Sequence, residues 1–377
     1  MGGEFEVNEH NINVRTAAPV QPAKIDAAHR QALQTFTLDR PQSLNAFDND
    51  MCRTLSSAIP RVARNPDIYI VALLSSSPKA FCAGGDVVAL SDAAKSDIEI
   101  AKTHLRDEYS LNWLLECFSK PTVSFINGLC MGSGAGLTAF NTHRVAGENF
   151  KWAMPETKIG LFPDVGISRV LAKMPWPIGA YLGLTGRSIG RADAQWLGLA
   201  THCISSSHYD DILSKLSDAQ PVDPILDGLN EFQPPGELQK EKEYILEHFS
   251  EPTLEGIFQS LARADAKGSE WATRTLGSLK KCSPTSLAIT LRHIQAALGF
   301  DIRETLIEDY RLAVRCLENH DFHEGVRAVL RDKDGKPAWH PERYEHLSGE
   351  VIDRYFAPLP DGELDLPSRS EMQAARV

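Results

Sequence analysis

The sequence predicts an α/β protein whose C-terminal part is mainly helical. Three observations carry that expectation. Short apolar runs suited to buried strands recur along the chain up to about Ser205. Two of them lead into glycine-rich turns that open what reads as a helix. Beyond Ser205 the strand signal stops and only helical periodicity remains. The strand–turn–helix unit returns at irregular spacing, without a solenoid repeat or a low-complexity tract. On that pattern alone a spiral of ββα turns and a doubly wound sheet fit about equally well.

Taken in order, the polar residues 1–30 read as a flexible lead, with neither the apolar stretch of a signal peptide nor the acid-poor make-up of a transit peptide. Leu33–Leu38 alternates as a strand and ends in the turn Asp39-Arg40-Pro41. Asp48 is placed to cap a helix with Met51, Leu55, Ile59 and Val62 on one face, and Pro60 is expected to kink or break it. Residues 69–74 form a continuous apolar run, as in a strand covered on both faces. Residues 88–107, polar and alanine-rich, read as a mobile helix and loop, with regular helix from Glu108 onward. Thr122–Ile126 and His143–Ala146 are two further strands. After the proline-bearing segment 219–235, helices are expected at 238–248, 254–262 and Glu270–Leu279. Another follows a Ser283 cap with Pro284 at its first position, and the last spans 303–317. This divides the chain into the lead (1–30), a core (31–225) and a helical region (226–377).

Composition narrows the function. The 377 residues hold no run near the roughly 18 apolar residues of a membrane span. Seven cysteines are scattered without paired spacing, which points to reduced thiols and an intracellular compartment. A net charge of −11 argues against nucleic acid as a partner, and any anionic ligand needs a local basic patch.

Chemistry concentrates in FCAGGDV (81–87), GLCMGSGAGL (128–137) and WAMPETKIGLFPDVG (152–166). Each glycine turn leaves backbone N–H groups unpaired at a helix start, and two such groups facing one point form an oxyanion hole. Either turn alone is equally well an ordinary strand-to-helix connection. The third stretch adds two carboxylates, Glu156 after Pro155 and Asp164 after Pro163. Individually these are a first-turn helix glutamate and a turn aspartate. Ser133 lacks the G-x-S-x-G context of a nucleophile and is read as backbone scaffold. His320, His323 and Glu324 match no zinc motif, so no metal site is expected.

These three stretches together resemble the crotonase (enoyl-CoA hydratase/isomerase) superfamily, from about Thr35 to about Pro337. The resemblance implies the spiral of ββα turns. It also implies an oxyanion hole from the N–H groups of Gly85 and Ser133, the latter standing where the family carries the middle glycine of a triplet, with Gly84 and Gly132 beside them. Glu156 matches a glutamate shared by the family's hydratases and its 3-hydroxyacyl-CoA hydrolases. Asp164 matches an aspartate of the hydrolases alone. Gly136 stands where hydratases place a second glutamate. The implied reaction is hydrolysis of a short 3-hydroxyacyl-CoA such as 3-hydroxyisobutyryl-CoA, a step of valine breakdown. Glu156 serves as base or nucleophile, Asp164 positions water or sulfur, and Glu108 accepts a hydrogen bond from the acyl hydroxyl. CoA is part of the substrate and no separate cofactor is implied. Arg40, Lys79 and Lys333, with Arg327 and Arg331, are candidate partners for its phosphates. The competing readings are an enoyl-CoA hydratase or isomerase, and a silent scaffold or RNA-binding module on the same fold. The implied location is the bacterial cytoplasm or the mitochondrial matrix, with self-association left open.

Overall fold

A computed structural model describes residues 24–175 and 177–377. Among the described residues, ten strands form two sheets. The larger has the order β1 (Ile25–Arg30), β2 (Leu33–Leu38), β3 (Ile70–Ser75), β5 (Thr122–Ile126), β7 (His143–Ala146), β10 (His202–Cys203). The smaller has the order β4 (Ala80–Cys82), β6 (Leu129–Met131), β8 (Lys151–Ala153), β9 (Ile189–Gly190). β3, β5 and β7 run parallel in one sheet, and the strands that follow each of them, β4, β6 and β8, run parallel in the other. The chain therefore climbs as a spiral of ββα turns, and a doubly wound single sheet is ruled out.

β3 reads as a continuous apolar run because both its faces are covered. Val71 and Leu73 join the main core, while Ile70 and Ala72 pack under Ile212, Leu216 and Leu226 of the helices Tyr209–Ser217 and Val222–Asp227. β1 was read as part of a flexible lead. It pairs antiparallel with β2 along its whole length, from Ile25 opposite Leu38 to Arg30 opposite Leu33. Its side chains are mostly exposed, so the hydrophobic pattern carried little signal. Residues 1–23 of that lead lie outside the described residues.

Two stretches of the N-terminal half differ from expectation. α1 (Asn49–Arg64) runs unbroken through Pro60. The turn beyond the proline is tied down by Lys120, whose ammonium donates to the carbonyls of Val62, Asn65 and Ile68 at 2.8, 2.6 and 2.6 Å. The buried face Met51–Leu55–Ile59–Val62 fixes the rest. Residues 88–107 are not a mobile loop. They belong to α2 (Val87–Ser96) and α3 (Ile98–Cys117), capped by the side chains of Asp86 and Asp97. Lys102, in this stretch, is buried and paired with Glu99 and Asp361.

After β10 every element is helical. Ser283 caps Pro284–Ala297 as the sequence implies. The segment expected as one helix at 238–248 is instead two, Glu237–Lys240 and Lys242–Phe249. The helices Pro284–Ala297 and Ile302–Leu317 return to the spiral and pack on α3 and on α5 (Ile167–Lys173).

Candidate active site

The two glycine turns meet at the ends of β4 and β6. After β4, Phe47 bridges to Gly85 through the carbonyl of Gly84 and the N–H of Asp86. That pairing turns the Gly85 N–H the other way. After β6, Gly132 adopts φ 47 and ψ −121, a backbone open to glycine, and leads into α4 (Ser133–Ala139). A methyl group on Gly132 would stand 3.1 Å from Glu156 Oε1 and 3.9 Å from the Gly85 nitrogen. Both turns and the glutamate therefore converge on one point. Among the described residues neither the Gly85 nor the Ser133 N–H finds an acceptor.

A cavity of about 470 Å³ opens there. Gly84, Gly85, Gly132, Ser133, Glu108, Glu156 and Asp164, all expected from the sequence, line it. Its remaining wall is largely apolar and includes Val87, Val88, Leu90 and Leu105, with Val329 and Leu330 at the mouth. Glu156 begins a short 3₁₀ turn, Glu156–Ile159, that follows Pro155. The residue is 6 % exposed, and among the described residues Oε2 has no hydrogen-bond partner. Burial, and then the charge of Asp164, hold its carboxyl well above the usual carboxylate range.

Asp164 is also buried. Loss of water raises it most, with Glu108 and Asp309 adding repulsion and the Tyr109 hydrogen bond opposing them. Tyr109 donates its hydroxyl to Asp164 Oδ2 at 2.7 Å. Glu108 presents a buried Oε1 with no partner among the described residues, and its Oε2 lies 3.7 Å from His104 Nε2. Ser133 leans over Gly85, its Oγ 2.9 Å from where a methyl on that glycine would sit. Among the described residues no imidazole or carboxylate hydrogen-bonds this hydroxyl. That agrees with a scaffold serine.

The turn carrying Asp164 is unusual. Val165 has φ 51 and Gly166 φ 79, so a β-branched residue sits in the left-handed region, at a cost of roughly 1–3 kcal/mol. In this pose Val165 packs on Gly136, where a Cβ would lie 2.7 Å from Val165 Cβ and 3.0 Å from Asn112 Nδ2. No side chain fits at position 136 without moving Val165.

The expected basic residues are not brought to the cavity wall. Arg40 spends its guanidinium on the Ala46 carbonyl at 3.0 Å and on Asp86 at 2.9 Å. Lys79 and Lys333 are exposed and do not line the cavity. Arg327 is held by Glu324, Asp332 and Asp334, and Arg331 pairs with Asp92 across the mouth. Lys158 and His104 are the basic side chains that do line it. Neither stood out in the sequence, because an isolated lysine in PETKIG and a histidine in a polar helix carry no motif. Tyr109 was within reach, since it follows Glu108 directly.

Spiral fold, paired glycine turns and a buried glutamate between them define the class: the chain belongs to the enoyl-CoA hydratase/isomerase family, whose profile matches residues 33–356. Within that family it is 38 % identical over 341 residues to the mitochondrial 3-hydroxyisobutyryl-CoA hydrolase of Xenopus tropicalis, 88 % of each chain. It is 36 % identical to the same protein of Homo sapiens, over 87 % of each chain. Among solved structures it is similar to a carnitinyl-CoA dehydratase from Mycobacterium thermoresistibile (TM-score 0.85, 30 % identity, 91 % and 98 % of the two chains). It is also similar to an enoyl-CoA hydratase from Rhodobacter sphaeroides (TM-score 0.84, 32 % identity, 91 % and 100 %).

Proposed function

We propose that the protein hydrolyses the thioester of a short 3-hydroxyacyl-CoA, 3-hydroxyisobutyryl-CoA in the first place, releasing the hydroxy acid and CoA as in valine breakdown. The observation that carries this reading is the pair Glu156 and Asp164, buried in one cavity beside two free N–H groups, while Val165 closes the space next to Gly136. Two carboxyls in one dry pocket do not ionise independently: burial and the charge of Asp164 make Glu156 a stronger base than an ordinary carboxylate. In this reading Glu156 activates water or attacks the carbonyl carbon itself. The Gly85 and Ser133 N–H groups hold the oxyanion, and Asp164, fixed by Tyr109, positions the water or the departing sulfur, which leaves as thiolate and takes up the proton released by water. The unpaired Glu108 Oε1 accepts from the 3-hydroxyl. Water and side chains suffice, with CoA entering as part of the substrate.

Names of the sequence relatives support the same reaction and a mitochondrial-matrix setting, or the cytoplasm if the source is bacterial. Seven buried free cysteines suit either reducing compartment. A second reading, hydration of an enoyl-CoA, has in its favour the names of the two similar structures. Against it stands the lack of a second acid at Gly136. Thiol release and loss of enoyl absorbance, followed on 3-hydroxyisobutyryl-CoA and crotonyl-CoA in parallel, decide between them. Thiol release from the hydroxyacyl thioester is expected. Loss of enoyl absorbance without thiol release overturns the hydrolase reading.

A further inference from the structure

Behind the cavity wall, a buried aspartate–histidine pair grips the turn that carries Asp164. Asp309, on the helix Ile302–Leu317, accepts the Gly166 N–H through Oδ2 at 2.7 Å. Its other oxygen, Oδ1, meets His293 Nε2 at 2.6 Å. Both side chains have no exposed surface, and neither lines the cavity. His293 is held edge-on by Phe162, with ring centroids 5.6 Å apart, and among the described residues its Nδ1 has no partner. The Asp309 contact and the Phe162 packing thus set the ring's orientation. Within the turn, Asp164, Val165 and Gly166 follow one another, the last two at φ 51 and 79. A left-handed valine persists only where neighbours over-determine it. Tyr109 holds the Asp164 side chain from α3. Asp309 holds the backbone two residues on from the opposite side.

We propose that Asp309, oriented by His293, is a positioning residue: by clamping the Gly166 N–H it keeps Val165 in its left-handed pose and aims the Asp164 carboxyl into the cavity. Neither residue touches substrate. The proposal rests on the reading of Asp164 given above. It assigns the helices Pro284–Ala297 and Ile302–Leu317, far along the chain from the glycine turns, a part in catalysis.

The test uses Asp309→Ala and Asp309→Asn in the full chain. Asparagine keeps an acceptor for Gly166 and offers its amide N–H to His293 Nε2, whose proton can move to the unpaired Nδ1. A misplaced catalytic group costs up to about 100-fold in rate, so Asp309→Ala should lose at least ~30-fold in kcat on 3-hydroxyisobutyryl-CoA with KM within ~3-fold. Asp309→Asn should recover most of that loss. Hydrogen exchange at the Gly166 amide should speed up in Asp309→Ala and stay slow in Asp309→Asn. A folded Asp309→Ala with kcat near that of the unaltered protein, or with unchanged Gly166 exchange, overturns the proposal. So does an Asp309→Asn as impaired as the alanine variant. If Asp309→Ala does not fold, His293→Leu replaces it: lower kcat and faster Gly166 exchange are expected, and no change in either overturns the clamp. The exchange measurement needs no substrate. An unaltered protein that releases no thiol therefore refutes the hydrolase reading without touching this one.

Discussion

Glu156 and Asp164 couple chemistry to stability. For Glu156, burial raises the carboxyl above its ordinary range, so the folded chain holds that proton more tightly than the unfolded chain. The associated stability is fully present below the ordinary carboxylate range and is lost as pH rises through the raised value. Glu156→Gln should therefore lose at least ~100-fold in kcat and yet melt higher than the unaltered protein. The gain in melting temperature should widen as pH rises above the ordinary carboxylate range, as seen by calorimetry. A melting temperature lowered at every pH would contradict the burial argument. Asp164 is the second cause of the Glu156 shift, after burial. Asp164→Asn should accordingly move the rising limb of the kcat/KM–pH profile to lower pH while depressing its plateau. Both acids and Glu108 were readable in the sequence because each sits in a short motif. The residues that set their behaviour were not. Asp309 lies 143 positions from the Gly166 N–H it binds, and local pattern says nothing of such a pair.

At the scale of elements, α4 is where the oxyanion argument can be separated from folding. Ser133 is its first residue, a position that tolerates proline because its N–H has no helical partner. Ser133→Pro removes one donor and should cost ~100-fold or more in kcat, about 2.7–4 kcal/mol of barrier. Ser133→Ala keeps the N–H and should stay within ~3-fold, since a hydroxyl without a base contributes little. Loss of turnover in a folded Ser133→Ala would make the hydroxyl chemical. One turn further, Gly136→Ala pushes a methyl into Val165 and should cost ~1–3 kcal/mol in urea unfolding. Val165→Ala in the same chain should return part of it. Helix and strand identities were largely legible. The failures have separate causes: β1 has an exposed, weakly patterned face, and the turn of α1 beyond Pro60 is tied down by Lys120. Residues 88–107 are helical under the side-chain caps of Asp86 and Asp97.

Over the whole molecule, the spiral core and the later helices share one large hydrophobic core, from Ile25 in β1 to Val377, beside a smaller one under the helices Tyr209–Ser217 and Val222–Asp227. The fold class followed from strand–turn–helix recurrence, whereas the two-sheet spiral did not, because irregular spacing hides which strand joins which sheet. α3, which carries Glu108 and Tyr109, is covered on its outer side by the segment 359–374. Trp113 Nε1 donates to the Pro367 carbonyl at 2.8 Å, Arg369 pairs with Glu116, and Asp361 pairs with Lys102. A chain cut after Pro358 should melt at a lower temperature and bind a hydrophobic dye, and its turnover should fall with the fraction folded. Full activity and an unchanged melting temperature would show this cover to be dispensable.

That cover sets a schedule for synthesis. On the ribosome α3 emerges early, but the acceptor for Trp113 is translated 254 residues later. At roughly 5–20 residues per second, the interval is tens of seconds. Throughout it the helix that bears two of the site's side chains has an uncovered apolar flank and a lysine short of one counter-ion. A chain whose synthesis stops before Asp361 lacks both the acceptor for Trp113 and the second counter-ion of Lys102, so that flank of the catalytic helix stays uncovered until synthesis is nearly complete.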